Sequence, residues 1–238
     1  MPAAARASML GVQELKSRLH DRFNLLIEGR RTALPRHQTL RATFDWSYEL
    51  LPESERVALR CLSIFADGFT LEAATVVLAN ANILDSNIVQ YVANLVTKSL
   101  VAADIEGGAV RDWLLDTTRA YAREKLTERG ELEQTARRHA EYYLALCAKA
   151  EAEWETIPAA EWLARYGRQI GNVRVALDWA FTPSGDVSIG VALTAAAVPL
   201  WLQLSLIDEC RARVEQGLSG LAWGLSRDTR LPVRGSFT

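Results

Sequence analysis

Apolar residues recur at helical spacing along nearly all of this 238-residue chain and change to an alternating pattern only between Leu100 and Leu115. That single switch limits the chain to a mainly helical fold with one small hairpin, because no second stretch has the period-two pattern a larger sheet needs. Leu40, Phe44, Tyr48 and Leu51 fall at spacings of four, four and three and line one helix face. Pro52 then ends that helix, and Glu53 and Glu55 favour the start of another, on which Ala58, Cys61, Leu62 and Phe65 repeat the stripe. Gly68 marks a break, and Thr70 is placed to cap a third helix running to about Asn80. A fourth helix, Asp85 to Lys98, buries Ile88, Val92, Leu95 and Val96. Strands at Leu100–Asp104 and Val110–Leu115 flank Glu106, Gly107 and Gly108, a hairpin signal. Asp116 caps the next helix, Thr117 to Arg129, and Gly130 ends it. Helices followed by a hairpin predict a winged-helix domain over residues 36–130.

From Glu131 the helical period returns. His139, Tyr142, Tyr143, Leu146 and Ala150 form one stripe; Leu163, Tyr166, Ile170, Val173 and Leu177 form the next. Ile207, Cys210, Val214, Leu218 and Leu221 complete four helices, joined by short connections such as Thr182 to Asp186. Residues 131–224 therefore read as an α-helical array of the tetratricopeptide (TPR-like) kind, although the strict signature of that repeat is absent. Residues 225–238 read as an irregular tail.

Val187 to Ile207 carries no charge and has about the length of a bilayer helix. Its flanks, Asp186 and Asp208, are acidic rather than basic or aromatic, and Ile189, Leu193, Ala196, Leu200 and Leu204 share one face. A buried repeat helix is the better expectation, with no membrane contact. A net charge of −2 argues against a dominant electrostatic attraction to nucleic acid or anionic lipid. Cys61, Cys147 and Cys210 are odd in number and far apart, which suits reduced thiols and a cytoplasmic setting.

The run RHQTLRATFDWSYELLPESERVALRCLSIF, Arg36 to Phe65, resembles the start of the winged helix in signal-transduction ATPases of the NB-ARC (STAND) type, found in bacterial regulators with a helical-repeat tail. VQELKSRLHDRFNLL, from Val12, resembles the end of the ATPase core's helical subdomain, which assigns residues 1–35 to that core. NVRVALDWA and WLQLSLIDECRARVEQGL look like first repeats of the tail. The opening resembles the middle of a helix, so a truncated copy of a longer protein is expected.

The chemistry of such an ATPase is missing here. No Gly-x4-Gly-Lys-Ser/Thr phosphate loop occurs in the sequence. No cofactor is expected in this chain; ATP or ADP would bind an upstream domain. The family's Met-His-Asp motif after the wing matches WLLDTTRAYA, which places Leu115 and Asp116 at the His and Asp positions, and Leu115 cannot donate to a phosphate. Of the basic set Arg30, Arg31, Arg36, His37 and Arg41, the last three begin the helix that the resemblance turns toward the nucleotide domain, and they are the candidate contact. His20, His37 and His139 lack metal-site spacing, and Gly217–Gly220 lacks the spacing of a nucleophile elbow. Of seven tryptophans, Trp179 and Trp201 are expected in the core.

The resulting expectation is a non-catalytic region of a STAND-type transcriptional regulator. Its partners would be a nucleotide-binding domain, in cis or in trans, and a protein or small-molecule ligand at the repeats. The helix Asp85–Lys98 carries only Lys98 as a base, so direct DNA binding is not expected. The alternatives are a winged-helix DNA-binding regulator and a membrane-attached adaptor.

Overall fold

The computed structural model of the chain describes residues 35–79, 85–106 and 109–228. Among the described residues the fold is mainly helical with one two-stranded antiparallel sheet, in keeping with the single switch of period. The elements are α1 (Pro35–Glu49), α2 (Glu53–Leu62), α3 (Leu71–Leu78), α4 (Asp85–Thr97), β1 (Ala102–Glu106), β2 (Ala109–Trp113) and α5 (Asp116–Glu128). After Gly130 come α6 (Leu132–Glu153), α7 (Ala159–Tyr166), a 3₁₀ turn (Gly167–Gln169), α8 (Ile170–Ala180), α9 (Val187–Ala196), α10 (Val198–Gln203) and α11 (Ile207–Asp228). The expected features of residues 1–34 and of the tail beyond 228 lie outside the described residues.

The chain divides into two compact units: Met1–Ser63 with Leu78–Gly130, and Ile64–Val77 with Glu131–Thr238. In the first, α2 packs on both α4 and α5. Leu59, Leu62, Leu78, Ile88, Leu95 and Leu126 are almost fully buried there. Phe44 stacks on Tyr121 with centroids 5.3 Å apart, and the Tyr121 hydroxyl donates to Asp45 at 2.7 Å, so α1 is fastened to α5 by both apolar and polar contacts. Burial, reinforced by the Asp45 carboxylate, pushes the Tyr121 hydroxyl far above its usual range. Arg60 is 1% exposed and donates to the Tyr48 hydroxyl at 2.6 Å and to Glu53 at 3.3 Å. A buried cation is tolerated only with such partners.

The second unit is built around α6, which packs on α8 and α9; α9 in turn packs on α11. Ile64–Val77 is sewn into this unit. Asn172, fully buried, accepts from Ala66 N–H at 2.9 Å and donates to the Gly68 carbonyl at 3.1 Å, while Arg138 Nε donates to the Val77 carbonyl at 2.8 Å. Phe65 lies 5.0 Å from Phe69 and 5.1 Å from His139, ring centre to ring centre. Trp162 is 1% exposed and donates its indole N–H to the Ala150 carbonyl at 2.7 Å.

Several expected boundaries move, each for a local reason. α2 ends at Leu62, not Phe65, because Ser63 takes the C-cap and its hydroxyl donates to the Arg60 carbonyl at 2.6 Å. Thr70 does cap α3, accepting from Ala73 N–H at 3.2 Å. Asp116 is the first residue of α5 and not its cap; Leu115 holds that place, and the Asp116 carboxylate pairs with Arg119 at 3.2 Å. Gly130, at φ +70°, lies just past the end of α5 as expected. The uncharged run is two helices, not one, since α9 ends at Ala196 and Pro199 sits in the first turn of α10, where its missing N–H costs nothing. Among the described residues no helix is long and apolar enough to cross a membrane. Trp201 is fully buried as expected, whereas Trp179 is half-exposed and donates to Glu133 at 2.8 Å.

Candidate nucleic-acid interface

Ile88, Val92 and Leu95 fall at i, i+4 and i+7 on α4 and are nearly fully buried, which fixes how the helix is rotated. The opposite face therefore presents Val89, Gln90, Ala93 and Thr97 to solvent, with Val89 54% exposed. This face is uncharged. The helix stops where Ser99 adopts φ +58°, with Ser99 N–H bonded to the Val96 carbonyl and Leu100 N–H to that of Leu95, both at 2.9 Å.

Beneath the face lies Glu55 of α2, only 3% exposed. One carboxylate oxygen accepts from the Asn94 side-chain amide at 2.8 Å and the other pairs with Lys98. An ionised carboxylate only accepts, so Asn94 must turn its NH2 inward. Its Oδ1 then points to Gln90, which must donate: Gln90 Nε2 to Asn94 Oδ1 is 2.8 Å. The buried charge thus orders a row of side chains at i, i+4 and i+8 that ends at the surface. The Gln90 Oε1 and its second N–H take no part in this row.

On the hairpin, Ala102 pairs with Trp113, Ala103 with Asp112 and Asp104 with Arg111. Asp112 and Leu114 are 4% and 6% exposed, so Arg111 and Trp113 take the other face and are half-exposed. Burial raises the Asp112 carboxyl above its usual range.

Of the candidate contacts named from sequence, Arg36, His37 and Arg41 lie on α1, and among these three only the side chain of Arg41 is described. Arg41 projects from α1 to Glu124 of α5, donating from both terminal nitrogens, one at 3.1 Å. That hydrogen bond is the main cause of its raised pKa. Arg36 and His37 lie on α1, with side chains outside the described residues; Arg30 and Arg31 lie outside them altogether. Leu115 is 53% exposed, and His139 is buried in the second unit. Among the described residues no three His, Cys, Asp or Glu side chains are grouped to hold a metal. The Glu55–Asn94–Gln90 row was not anticipated, although the spacing of Gln90, Asn94 and Lys98 by four was a visible signal.

The chain is similar to proteins named "Putative HTH-type transcriptional regulator" in Mycobacterium bovis and Mycobacterium tuberculosis, with 37% identity over 217 residues, 91% of this chain and 24% of each relative. It is also 38% identical over 138 residues to a Mycobacterium tuberculosis protein named "Uncharacterized protein", covering 58% of this chain and 35% of that one. The chain therefore spans about a quarter of the length of the first relatives. No protein-family model matches it, and no solved structure does. The likeness to helix-turn-helix regulators overturns the expectation that direct DNA binding is absent. That expectation counted Lys and Arg on the helix Asp85–Lys98 and gave no weight to neutral amides, which also read base edges.

Proposed function

We propose that this chain is a segment of a helix-turn-helix transcriptional regulator, and that its first unit acts as a winged helix on duplex DNA. The carrying observation is the 37% identity, across 91% of the chain, to proteins bearing that name. The geometry of α4 supports it as the helix that enters the groove: its apolar side is consumed by the unit and its outer side is uncharged and amide-bearing. The half-exposed Arg111 of the hairpin is the candidate phosphate contact. The reading is tested by fluorescence anisotropy of labelled random-sequence duplexes at about 50 mM salt, where few phosphate contacts predict a shallow salt slope. Failure to bind any duplex at that salt would refute it.

A second reading concerns the rest of a longer protein. The first relatives are about four times as long as the match, which leaves room for an ATPase core of the kind the sequence resembles. In that setting Arg36, His37 and Arg41 would face a nucleotide-binding domain, and the helices after Glu131 would be TPR-like repeats receiving a protein or small-molecule ligand in the cytoplasm. The role is one of binding and relay, without catalysis: two packed arrangements whose populations shift when a ligand favours one. ATP turnover by the isolated chain would sink it.

A further inference from the structure

The row Glu55–Asn94–Gln90 has a consequence for what sequence α4 can read. We propose that Gln90 reads adenine in the major groove of an A·T-containing duplex, and that Asn94 and the buried Glu55 are positioning residues that hold its amide ready; the proposal rests on the reading of the first unit as a DNA-binding element.

Glu55 is 3% exposed and accepts from both Asn94 and Lys98, so it stays put. Its acceptor-only character sets the direction of both following hydrogen bonds, each 2.8 Å long. One N–H of Gln90 is thereby committed, and one N–H and the Oε1 remain for a further partner on an exposed residue. A donor beside an acceptor is the complement of adenine, which offers its N7 acceptor and its N6 donor on the major-groove edge. Guanine offers two acceptors there and suits Arg or Lys, which this face lacks. Lys98, the one base at the end of the helix, is already paired with Glu55. The neighbours of Gln90 agree with the same reading: Val89, Ala93 and Thr97 are exposed methyl-bearing side chains, apolar partners for the thymine methyl. A glutamine held in place before binding also loses less rotamer freedom on contact than a free one.

The test uses the whole chain and three short labelled duplexes in fluorescence anisotropy at about 50 mM salt: one of alternating A·T pairs, one of alternating G·C pairs, and the A·T duplex with 7-deazaadenine in place of adenine. The last removes N7 from the major groove while leaving base pairing and the minor groove as they were. The wild-type chain should prefer the natural A·T duplex over the other two by about tenfold, the lower part of the range for one bidentate contact. Gln90→Ala should remove most of that preference. Asn94→Ala should reduce it while leaving G·C affinity unchanged, a result that a merely structural role would not produce. Glu55→Gln is the deeper variant, and circular dichroism of each variant shows whether the helices are retained. Equal binding of natural and 7-deaza duplexes overturns the adenine assignment while the DNA-binding reading stands. Absence of binding to every duplex overturns both.

Discussion

Arg41 of α1 grips Glu124 of α5 through two parallel hydrogen bonds, from Nη1 to Oε2 at 3.1 Å and from Nη2 to Oε1. The side chains are 28% and 30% exposed, so water screens the pair only in part. Removing the arginine should cost about 0.5 to 1 kcal/mol, near the upper end for partly exposed pairs, because the geometry is bidentate. Arg41→Lys should recover less than half of this, since an ammonium cannot make the paired contact. Urea unfolding of both variants checks it. Equal stability of Arg41→Ala and the parent would show that the pair contributes nothing.

Gly171 is the second residue of α8, and a Cβ placed there would lie 1.8 Å from Asp67 Oδ2 and 2.6 Å from its Cγ. Two effects of Gly171→Ala oppose each other. Helix propensity would favour alanine by about 1 kcal/mol. The collision forces Asp67 aside, and overpacking of this kind costs roughly 1 to 3 kcal/mol. The collision should win, and the variant should melt below the parent. Asp67→Ala removes the obstacle, so in the double variant the helix gain should surface and the two changes should be strongly non-additive. A Gly171→Ala variant that melts above the parent refutes the close approach.

What the sequence made legible follows from where local pattern decides structure. Ile88, Val92 and Leu95 are buried, and the hairpin falls where the period changes. Residues decided by partners far along the chain were not legible. Phe65 continues the stripe of α2 on paper, yet it is buried in the second unit beside Phe69 and His139, because Asn172, 106 residues away, fixes the adjoining backbone at Ala66. The row at α4 was half legible. Gln90 and Asn94 are spaced by four, but nothing local says that Glu55, 39 residues earlier, sits beneath Asn94.

Asp112 gives a pH prediction. Burial raises its folded pKa above the ordinary value, so the ionised form is disfavoured in the folded chain. The unfolded chain releases this proton at lower pH than the folded one, so the group lowers stability as pH rises through the carboxylate range, and the deficit persists at pH 7. Asp112→Asn should therefore raise the melting temperature at pH 7. The advantage should shrink below about pH 4, where both states are protonated. A gain independent of pH would point to some cause other than the buried charge.

Two serines stand where the backbone asks for glycine. Ser99 and Ser205 have φ of 58° and 57°, the left-handed region, and each ends a helix: Leu100 N–H reaches back to the Leu95 carbonyl at 2.9 Å and Leu206 N–H to that of Trp201 at 2.8 Å. A side chain in that region costs about 1 to 2 kcal/mol, while glycine returns roughly 0.5 to 1 kcal/mol of that through the freedom of the unfolded chain. Ser205→Gly should thus stabilise by up to about 1 kcal/mol, or some 2 to 4 °C in melting temperature, and Ser99→Gly should act in the same direction. Gly130 supplies the opposite test. It has φ +70° and open space around a built Cβ, so Gly130→Ala meets no collision and pays only for the backbone. It should lose about 1 kcal/mol. If the serine variants melt no higher than the parent while Gly130→Ala melts unchanged, backbone strain is not what limits these three helix ends.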